Sequence, residues 1–335
     1  MRVIGVLGNY LTKQHKEEIE ETAALSRTAA LSKTAAGQEE LTVRYFQDTE
    51  EAAKGIGECE ILYGYYPASL IKNAEKLKWL ATAAAGVDPL LPDEVYPHEG
   101  VILTNSNGAY GVTISEHLVM TLLMLMRRQE GYDQMMRDQE WGSLGSIRSI
   151  FGSRFVIVGT GDIGTNFARR VKAMGAKEVI GVRRDLSKPL DPAFDKAVTL
   201  ASLKEVVEDI DVIALCVPAT KETVGLLSKD IIDSLNKKTL ILNIGRGSAI
   251  DQEALIDALN EERIAGAALD VMVPEPLPKG HPLYSAKNVI LTPHCSGTMT
   301  LGYTCDVNVH MFCENLKAYI NGEPMKHVVD RVKGY

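Results

Sequence analysis

Length, composition and charge first narrow the class of protein. The chain has 335 residues, of which 45% are hydrophobic and 24% charged, enough for two ordinary domains with substantial cores. The formal net charge is -8 and the basic residues are scattered, whereas nucleic-acid sites need clustered cations. The longest apolar stretch, residues 118–126, is far below the ~20 residues that span a bilayer. Neither nucleic acid nor a membrane is therefore expected as a partner.

The cysteines and the first residues indicate the compartment. Five cysteines, an odd number without a Cys-x-x-Cys pair, are typical of reduced thiols in a cytoplasmic protein. The apolar run at residues 3–7 lacks a small-residue cleavage pattern, so it predicts a first strand and not a signal peptide. No His or Cys cluster has metal-ligand spacing, and no metal is expected.

The first third of the chain alternates strand-like apolar runs with helical patterns, which predicts a parallel sheet. In the first helix, a six-residue pattern that begins at Thr22 is almost repeated from Thr28 and starts a third time at Thr34. Its alanine content favours helix, so we expect a lengthened surface helix or a mobile excursion. The strands are expected at residues 3–7, 42–46, 61–63, 79–82 and 101–103.

The apolar stretch at residues 118–126 is rich in methionine, with Met120, Met124 and Met126. A helix that is apolar on all sides is buried. We expect this one to pack between elements or against a second subunit, since methionine adapts to irregular surfaces. Core burial alone would also explain the pattern.

A glycine motif follows the next predicted strand, residues 155–158. It reads Gly159-Thr160-Gly161-Asp162-Ile163-Gly164 and precedes a predicted helix, 165–174, and a second strand, 178–182. In this strand-turn-helix-strand setting the glycines allow a tight turn, close approach of a pyrophosphate, and close packing of helix on strand. An ordinary glycine-rich turn is the alternative. We interpret the motif as a dinucleotide site, with the phosphates at the helix N-terminus.

The end of the second strand bears on the choice of dinucleotide. NAD-binding folds place an Asp or Glu there for the ribose 2′-hydroxyl, but this strand ends in Arg183 and Arg184. A guanidinium binds a 2′-phosphate with two hydrogen bonds, so NADP is predicted, with NAD as the other candidate. Asp185 would serve NAD in a shifted register, and both arginines would also suit a solvated loop.

Four further strands are predicted at residues 212–216, 240–243, 267–270 and 289–291. Single polar residues follow the apolar runs of this region: Arg246, Glu275 and His294. Because open α/β sheets bind ligands at the carboxyl ends of their strands, the three side chains are expected to converge. A surface cation and a core histidine are the simpler interpretations of Arg246 and His294.

The chemistry of the three side chains suits an acid that carries a neighbouring carbonyl or hydroxyl. Arg246 would bind a carboxylate through its planar fork. His294 would exchange a proton with the reacting oxygen. Glu275 would favour the protonated imidazole and fix which ring nitrogen faces the substrate.

Taken together, these motifs resemble the D-isomer-specific 2-hydroxyacid dehydrogenases over nearly the whole chain. The segment 84–88, Ala-Ala-Gly-Val-Asp, looks like the family's substrate-carboxylate loop, and Ser115-Glu116-His117 matches the entry to its long interdomain helix. The segments 217–220 and 268–271 are similar to its adenine-side loop and nicotinamide-side strand end. His281-Pro282-Leu283 and residues 288–294 close the series.

The resemblance implies roles for particular residues. Arg246, Glu275 and His294 would be catalytic, and Ala85 and Gly86 would bind the substrate together with Arg246 and His294. It also implies a homodimer built on the cofactor domain. Beyond the glycine motif and the arginine pair, contacts to the cofactor are expected from Cys216, Val217, Pro218, Thr223, Ile244, Arg246, Asp270, His294 and Ser296.

The expected fold is α/β, with two Rossmann-like or flavodoxin-like parallel-sheet domains and an active-site cleft between them. Residues 1–106 plus 297–335 would form a discontinuous substrate-binding domain, and residues 107–296 the dinucleotide-binding Rossmann domain. The expected activity is reduction of a small 2-keto acid, of glyoxylate or hydroxypyruvate type, to a D-2-hydroxy acid, with NADPH favoured over NADH. The other hypothesis is a corepressor-like protein that senses the dinucleotide, since the family resemblance extends to such proteins.

Overall fold

The chain folds into two compact units, described in a computed structural model for residues 2–31 and 40–334. Unit 1 comprises Met1–Tyr110 with Thr298–Tyr335, and unit 2 comprises Gly111–Gly297. The division expected from the sequence, 1–106 with 297–335 and 107–296, differs from this one by four residues at the first junction and one at the second. Within the described residues, no helix combines the length and the hydropathy needed to cross a membrane.

Unit 1 is a parallel sheet with helices around it. The strand order is β2-β1-β3-β4-β5. The three inner strands are buried along nearly their whole length, as expected for a parallel sheet covered on both faces. The elements are β1 (Arg2–Leu7), α1 (Lys13–Leu31), β2 (Leu41–Phe46), α2 (Thr49–Gly55), β3 (Cys59–Gly64), α3 (Ala68–Ile71), β4 (Trp79–Thr82), β5 (Ile102–Thr104) and the last helix, α10 (Gly302–Asn321).

The helix α10 packs on the unit 1 sheet through aromatic side chains. Phe312 stacks on Tyr63 of β3, with ring centroids 4.1 Å apart, and on Trp79 of β4 at 5.3 Å. Tyr319, two turns further along, stacks on Trp79 at 5.4 Å. Such pairs contribute about 1 kcal/mol each beyond the area they bury, so the end of the chain is firmly joined to the sheet formed by its beginning.

Unit 2 is a seven-stranded parallel sheet of order β12-β11-β10-β9-β6-β7-β8. The order reverses direction at the neighbouring strands β6 and β9, and ligands of open α/β sheets bind at such a switch point. The elements are α4 (Gly111–Arg127), α5 (Gln129–Arg137), β6 (Arg154–Val158), α6 (Asp162–Ala173), β7 (Glu178–Val182), β8 (Lys196–Val198), α7 (Leu203–Val206), β9 (Val212–Leu215), α8 (Lys229–Ser234), β10 (Leu240–Asn243), α9 (Gln252–Asn260), β11 (Gly266–Leu269) and β12 (Val289–Leu291).

Two α/β domains, each with a parallel sheet, were predicted, and this prediction is confirmed. Every predicted strand has a counterpart whose ends differ by at most a few residues. The edge strand β8 was missed because it has only three residues, one of them Lys196, and pairs with β7 alone. The helix after the glycine motif begins at Asp162 and not at Thr165, since the motif itself supplies the first helical turn.

The structure bears on two expectations about helices. Met126 is buried as predicted, but Met120 is 49% exposed in the single chain, so core burial does not account for the whole of α4. Packing of this helix against a second subunit stays a prediction. The helix packs against α6 and the strands β10–β12, which leaves its opposite face bare. The helix α1 continues through the first copy of the repeat, as in the alternative of a lengthened helix, and it buries Ala23 and Ser26 there while Leu25 is 46% exposed. The third copy, from residue 34, lies outside the described residues.

Candidate active site

A glycine-rich turn joins β6 to α6 at the carboxyl edge of the unit 2 sheet. Gly159 has a φ of 98°, and a side chain there would overlap the carbonyl oxygen of Cys216. A side chain at Gly164 would overlap the carbonyl oxygen of Gly159, so this glycine lets the helix approach the strand. At Gly161, the N-cap of α6, a Cβ would meet only open space. Open space before a helix N-terminus fits a pyrophosphate group.

The other residues of the motif shape this turn. The Thr160 carbonyl accepts a hydrogen bond from the Thr165 hydroxyl at 3.1 Å. Asp162 begins α6, where a carboxylate is stabilised by the helix dipole, and its Oδ1 accepts a hydrogen bond from the side-chain amide of Asn166 at 3.0 Å. Ile163 follows in the first turn of the helix. The side chains thus support the turn, and its backbone amides are the groups suited to bind phosphate.

Two arginines follow β7, as the sequence predicted. Nη1 of Arg183 donates to the carbonyl of Pro189 at 3.1 Å. Nη1 of Arg184 lies 3.6 Å from Oε2 of Glu222, which belongs to the loop after β9. The Asp185 carboxylate accepts hydrogen bonds from the hydroxyl and the amide of Ser187, and these bonds lower its pKa. Two guanidinium groups therefore stand at the strand end, while the nearby carboxylate turns back on its own loop.

The loop after β9 borders the glycine turn. The Cys216 amide donates to the Val158 carbonyl at 2.8 Å, which continues the pairing of β9 with β6. Further along, the Thr223 hydroxyl donates to the Pro218 carbonyl at 2.6 Å and accepts from the Thr220 amide at 2.8 Å. These two bonds close the loop into a fixed shape. Together with Arg184, which reaches Glu222, the loop forms the second wall of the candidate dinucleotide site.

Arg246 lies on a tight turn after β10 that is organised by Asn243. The buried Asn243 side chain donates to the Arg246 carbonyl at 2.9 Å and accepts from the Gly245 amide at 3.0 Å. Ile244 is buried between them, and its amide donates to the Leu215 carbonyl at 3.3 Å. The guanidinium of Arg246 donates to the Gly245 carbonyl at 2.7 Å. Both ends of the turn are therefore fixed before any ligand binds.

Glycines place this turn between two other segments of the site. A side chain at Gly245 would overlap the backbone of Val217, in the loop after β9. A side chain at Gly247 would overlap the backbone of Met272, whose amide in turn donates to Oε1 of Glu275 at 2.9 Å. The backbone of the Arg246 turn therefore contacts both the adenine-side loop and the segment that holds Glu275.

His294 and Glu275 form a hydrogen-bonded pair. Nδ1 of His294 lies 2.8 Å from Oε2 of Glu275, and the two side chains are 51% and 35% exposed. His294 has a φ of 50°, the left-handed region that non-glycine residues seldom adopt and that is found at functional sites. Because Nδ1 is occupied by the carboxylate, Nε2 is the ring nitrogen left to face a substrate.

Asp270, at the end of β11, holds the turn that carries His294. Its Oδ1 accepts from the Thr292 hydroxyl at 2.6 Å and the Cys295 amide at 2.9 Å, and its Oδ2 accepts from the Ser296 amide at 3.1 Å. The His294 amide donates to the Asp270 carbonyl at 2.9 Å. Burial alone would raise the pKa of Asp270, but these hydrogen bonds outweigh it and hold the pKa below its ordinary value. The carboxylate is therefore ionised and keeps the turn in place.

A cavity of about 540 Å³ opens beside the His294–Glu275 pair. Met272, Leu277 and Leu291 line it with apolar groups. Its volume is in the usual range for small-molecule sites. His294 and Glu275 thus both lie at the wall of a mostly apolar cavity.

The predicted substrate loop of unit 1 follows β4, at the carboxyl edge of its sheet. The Ala85 carbonyl accepts from the side-chain amide of Asn105 at 2.9 Å, and the Ala84 carbonyl accepts from the Ser106 amide at 3.0 Å. Within residues 2–31 and 40–334, the amides of Ala85 and Gly86 have no acceptor. Two neighbouring amides without an acceptor are groups suited to bind an anion.

In the part of the chain that the structure describes, no three His, Cys, Asp or Glu side chains are grouped so as to hold a metal ion.

Comparison with known proteins identifies the family. A family profile described as "D-isomer specific 2-hydroxyacid dehydrogenase, NAD binding domain" matches residues 119–296, more than half of the chain. The chain belongs to the D-isomer specific 2-hydroxyacid dehydrogenase family. It is therefore an oxidoreductase whose unit 2 carries the family's NAD binding domain, which agrees with the geometry of the glycine turn.

Individual members of the dehydrogenase family agree with this assignment. A glyoxylate reductase from Korarchaeum cryptofilum is 31% identical over 79% of this chain and 79% of its own length. A D-3-phosphoglycerate dehydrogenase from Bacillus subtilis is 32% identical over 73% of this chain, but the match spans only 48% of that protein. The solved structure of a D-isomer specific 2-hydroxyacid dehydrogenase family protein from Aeromonas salmonicida is 31% identical, with a TM-score of 0.80, and the match covers 98% of this chain and 99% of that one.

The structure of this dehydrogenase also shows organising residues that sequence reasoning missed. Asn243 shapes the Arg246 turn, Met272 holds Glu275 by its amide, and Thr292 binds Asp270. Asp270 was expected only as a contact to the cofactor. A polar residue at the buried end of a strand, as at Asn243, was the one sequence signal available, because burial of such a side chain requires hydrogen-bond partners.

Proposed function

We propose that this dehydrogenase reduces a small 2-keto acid to the D-2-hydroxy acid, and catalyses the reverse reaction, with NADPH as the favoured reductant. The His294–Glu275 pair, 2.8 Å apart and open to a cavity, is the observation that carries the proposal. A paired, partly exposed imidazole on a fixed turn is the group that a carbonyl reduction needs to protonate its oxygen.

His294 acts as the general acid in reduction. Its Nε2 donates a proton to the carbonyl oxygen, and Glu275 stabilises the imidazolium that must be present at the start of the step. The nicotinamide cofactor, when bound, supplies the hydride for the carbonyl carbon. In the reverse direction Nε2 accepts the proton from the hydroxyl of the D-2-hydroxy acid.

Arg246 binds the substrate carboxylate. The guanidinium offers a planar fork that matches the two carboxylate oxygens, and its turn is fixed by Asn243. We infer that Ala85 and Gly86 also bind the substrate, because their neighbouring amides suit an anionic group. Holding the carboxylate places the neighbouring carbonyl in a defined orientation toward Nε2 of His294, which lowers the entropic cost of reaching the transition state.

The residues expected to contact the dinucleotide lie along the carboxyl edge of the unit 2 sheet. The turn from Gly159 to Gly164 would bind the pyrophosphate, and Cys216 to Thr223 the adenine side. Ile244, Asp270 and Ser296 lie at or just beyond the ends of the strands that carry the catalytic turns. They would contact the nicotinamide side of the cofactor.

The preference for NADPH rests on the end of β7. Arg183 and Arg184 place two guanidinium groups where NAD-specific folds place a carboxylate, and Arg184 already reaches the adenine-side loop through Glu222. Asp185 would repel a 2′-phosphate, but its oxygen is turned toward Ser187. The attraction of a 2′-phosphate to the two guanidinium groups therefore outweighs its repulsion by Asp185, which favours NADPH.

The substrate class follows from the site and from the relatives. Arg246 and His294 recognise only the carboxylate and the carbonyl of a keto acid. Which substrate side chain is accepted therefore depends on the other residues around the site. A relative that matches over 79% of this chain carries the name glyoxylate reductase. We therefore assign glyoxylate and hydroxypyruvate as the first substrates to examine.

We also propose a homodimer in the cytoplasm. The segment from α4 to β6 exposes Met120, Met136, Trp141, Ile147 and Phe151, with Trp141 96% exposed. A groove of about 920 Å³ lies on the same unit, partly lined by residues of this segment. Exposed apolar groups of this size favour a protein partner, and a second copy is the partner that the family resemblance implies. The five cysteines are all free thiols, as in the reducing cytoplasm.

Parallel assays of NADPH and NADH oxidation with glyoxylate, hydroxypyruvate and 2-ketoisocaproate test the proposal. We expect rapid oxidation with at least one acid, and a larger kcat/KM with NADPH. Equal or better efficiency with NADH would refute the cofactor preference alone. Tight NADPH binding without turnover of any acid would refute the reductase and favour a dinucleotide sensor.

A further inference from the structure

The loop that follows β4 has an unusual pattern of hydrogen bonds. Four consecutive carbonyls, those of residues 82–85, all accept hydrogen bonds from within unit 1. The Thr82 carbonyl accepts from the Ser106 hydroxyl at 3.0 Å, and the Ala84 carbonyl from the Ser106 amide at 3.0 Å. The Ala85 carbonyl accepts from the side-chain amide of Asn105 at 2.9 Å. The first part of the loop therefore turns its carbonyl oxygens toward other residues of unit 1.

The remaining carbonyl, that of Ala83, is the most strongly held. It accepts from the Tyr110 hydroxyl at 2.6 Å and from the side-chain amide of Asn308 in α10 at 3.0 Å. The Asn308 oxygen in turn accepts from the Tyr63 hydroxyl at 2.7 Å. Tyr63, Tyr110 and Asn308 are each at most 3% exposed. Buried bonds of this kind fix the base of the loop.

The direction of the carbonyls determines the direction of the amides. In a trans peptide unit, the C=O of one residue and the N–H of the next point to opposite sides. Because the Ala84 carbonyl points inward to Ser106, the Ala85 amide points outward. Because the Ala85 carbonyl points inward to Asn105, the Gly86 amide points outward as well. The two amides without an acceptor thus owe their orientation to residues 105 and 106.

Of the two bonds that orient the Ala85 and Gly86 amides, only the one to the Ala85 carbonyl is made by a side chain. Ser106 holds Ala84 through its own amide, whereas Asn105 holds Ala85 through Nδ2. The Asn105 side chain is oriented at its other end, where Oδ1 accepts from the Asn107 amide at 3.3 Å. It is partly exposed, so its replacement need not disturb the core.

We propose that Asn105 is a positioning residue for substrate binding: it turns the Ala85 carbonyl inward and so aims the Gly86 amide at the substrate carboxylate. This inference rests on the proposed role of the Ala85–Gly86 loop. Asn105 itself does not touch the substrate. Its loss leaves the amide present but free to turn away, so carboxylate binding weakens while proton transfer by His294 and cofactor binding are unaffected.

The test compares Asn105→Ala and Asn105→Asp with a matched control. Asp keeps the shape and the bond to the Asn107 amide but lacks the donor for Ala85. The control is Asn236→Ala in unit 2, because Asn236 makes the same pattern: Nδ2 donates to backbone carbonyls at 3.1 Å, and Oδ1 accepts from the amide two residues on at 2.9 Å. Asn236→Ala therefore shows the effect on the protein of losing an asparagine with this hydrogen-bond pattern away from the proposed substrate loop.

Three quantities are measured on each folded protein: KM and kcat for glyoxylate, the dissociation constant of oxalate from the NADPH complex by calorimetry, and the dissociation constant of NADPH. For both Asn105 variants we expect KM and the oxalate constant to rise about tenfold together, the loss of one hydrogen bond to a charged group. We expect kcat within about threefold and NADPH binding unchanged, since ground-state and transition-state binding are weakened equally. Asn236→Ala should match the wild type in all three.

Unchanged oxalate binding in the Asn105 variants would overturn the inference, as would an equal loss in Asn236→Ala. A fall in kcat with KM unchanged would also overturn it, because that result assigns Asn105 to the chemical step. Oxalate binding to the wild-type NADPH complex is measured first, before any variant is made. If the wild-type complex does not bind oxalate, the proposed role of the Ala85–Gly86 loop is itself refuted.

Discussion

Two buried carboxylates, one in each unit, are both stabilised in their ionised form, but they have different effects on the structure around them. Asp270 in unit 2 is 2% exposed and Glu60 in unit 1 is 7% exposed, and each has a lowered pKa although burial alone would raise it. In both cases several hydrogen-bond donors outweigh the cost of burying the charge. What differs is the origin of those donors.

The donors to Asp270 are local, whereas those to Glu60 come from distant parts of unit 1. Asp270 binds a hydroxyl and two amides of the single turn that carries His294. Glu60 accepts from Arg2 of β1 at 2.8 Å, Tyr319 of α10 at 2.6 Å and Lys78 at 3.4 Å. A carboxylate with donors from one turn orients that turn, and one with donors from three elements joins those elements. Substitutions should therefore separate an effect on catalysis from an effect on stability.

The largest effect is expected at the residue that the Asp270 turn carries. His294→Gln should lower kcat for keto-acid reduction about a thousandfold, because general acid catalysis is lost. The melting temperature should stay close to that of the wild type, since the side chain is half-exposed. Steady-state kinetics and calorimetry on the same sample measure both. Retention of more than a tenth of the activity would remove His294 from the mechanism.

Arg246→Lys tests the substrate clamp next to this turn. Lysine keeps the charge but not the planar fork, so kcat/KM should fall roughly 10- to 100-fold. Arg263→Lys is the control, because Arg263 binds the surface carboxylates Glu261 and Asp233 at 2.7 Å and lies outside the site. Equal kinetics for Arg246→Lys and the wild type would contradict the proposed role of Arg246.

Asp270→Asn should lower kcat about tenfold. Its loss of stability should be smaller than that of Glu60→Gln. The asparagine side chain has one acceptor oxygen in place of two, so at least one amide of the His294 turn loses its partner. Asp211→Asn provides the comparison, since Asp211 accepts from the Arg154 amide at 2.9 Å at the opposite edge of the same sheet. That variant should lose stability without losing kcat. A loss of kcat in both would show that the effect is not specific to the turn.

Glu60→Gln should change stability and leave kcat of the folded enzyme unchanged. At pH 7 the loss should be about 2 kcal/mol, as for hydrogen bonds to a charged group. Because the folded-state pKa of Glu60 lies below its ordinary value of 4.5, this stabilisation is fully present above that value. It is lost as the pH falls through the lowered pKa, so the difference between variant and wild type should shrink in acid.

Denaturant unfolding at pH 7 and in a series of steps below pH 4.5 measures this difference. Glu58→Gln, at a side chain that is 67% exposed, should change the free energy of unfolding by less than about 0.5 kcal/mol. A stability loss of Glu60→Gln that stayed constant through the acid range would contradict the assignment of that loss to the ionised carboxylate.

The two units also show how much of the structure could be predicted from the sequence. The strands were predictable because parallel strands buried on both faces appear as continuous apolar runs. The short edge strand β8 gives no such signal. The residues His294, Glu275 and Arg246 were selected because each polar side chain follows an apolar run. Their supporting bonds were not predictable, because most involve backbone amides, as at Met272 and Cys295.

Helix burial was less predictable than strand burial. Residues 118–126 look apolar on all sides, but the exposure of Met120 depends on which elements α4 packs against. In the same way, the role of Asn105 depends on the direction of the Ala85 carbonyl, a property of the folded loop and not of the local sequence. Composition and periodicity specify the elements, while the orientation of single peptide groups follows from their packing.

The central claim is that this dehydrogenase transfers hydride to a 2-keto acid with defined stereochemistry. The most direct measurement is NADPH-dependent reduction of hydroxypyruvate, followed by chiral analysis of the product. We predict stoichiometric oxidation of NADPH and formation of D-glycerate alone. Formation of L-glycerate or a racemic product, or NADPH binding without oxidation, would contradict the account.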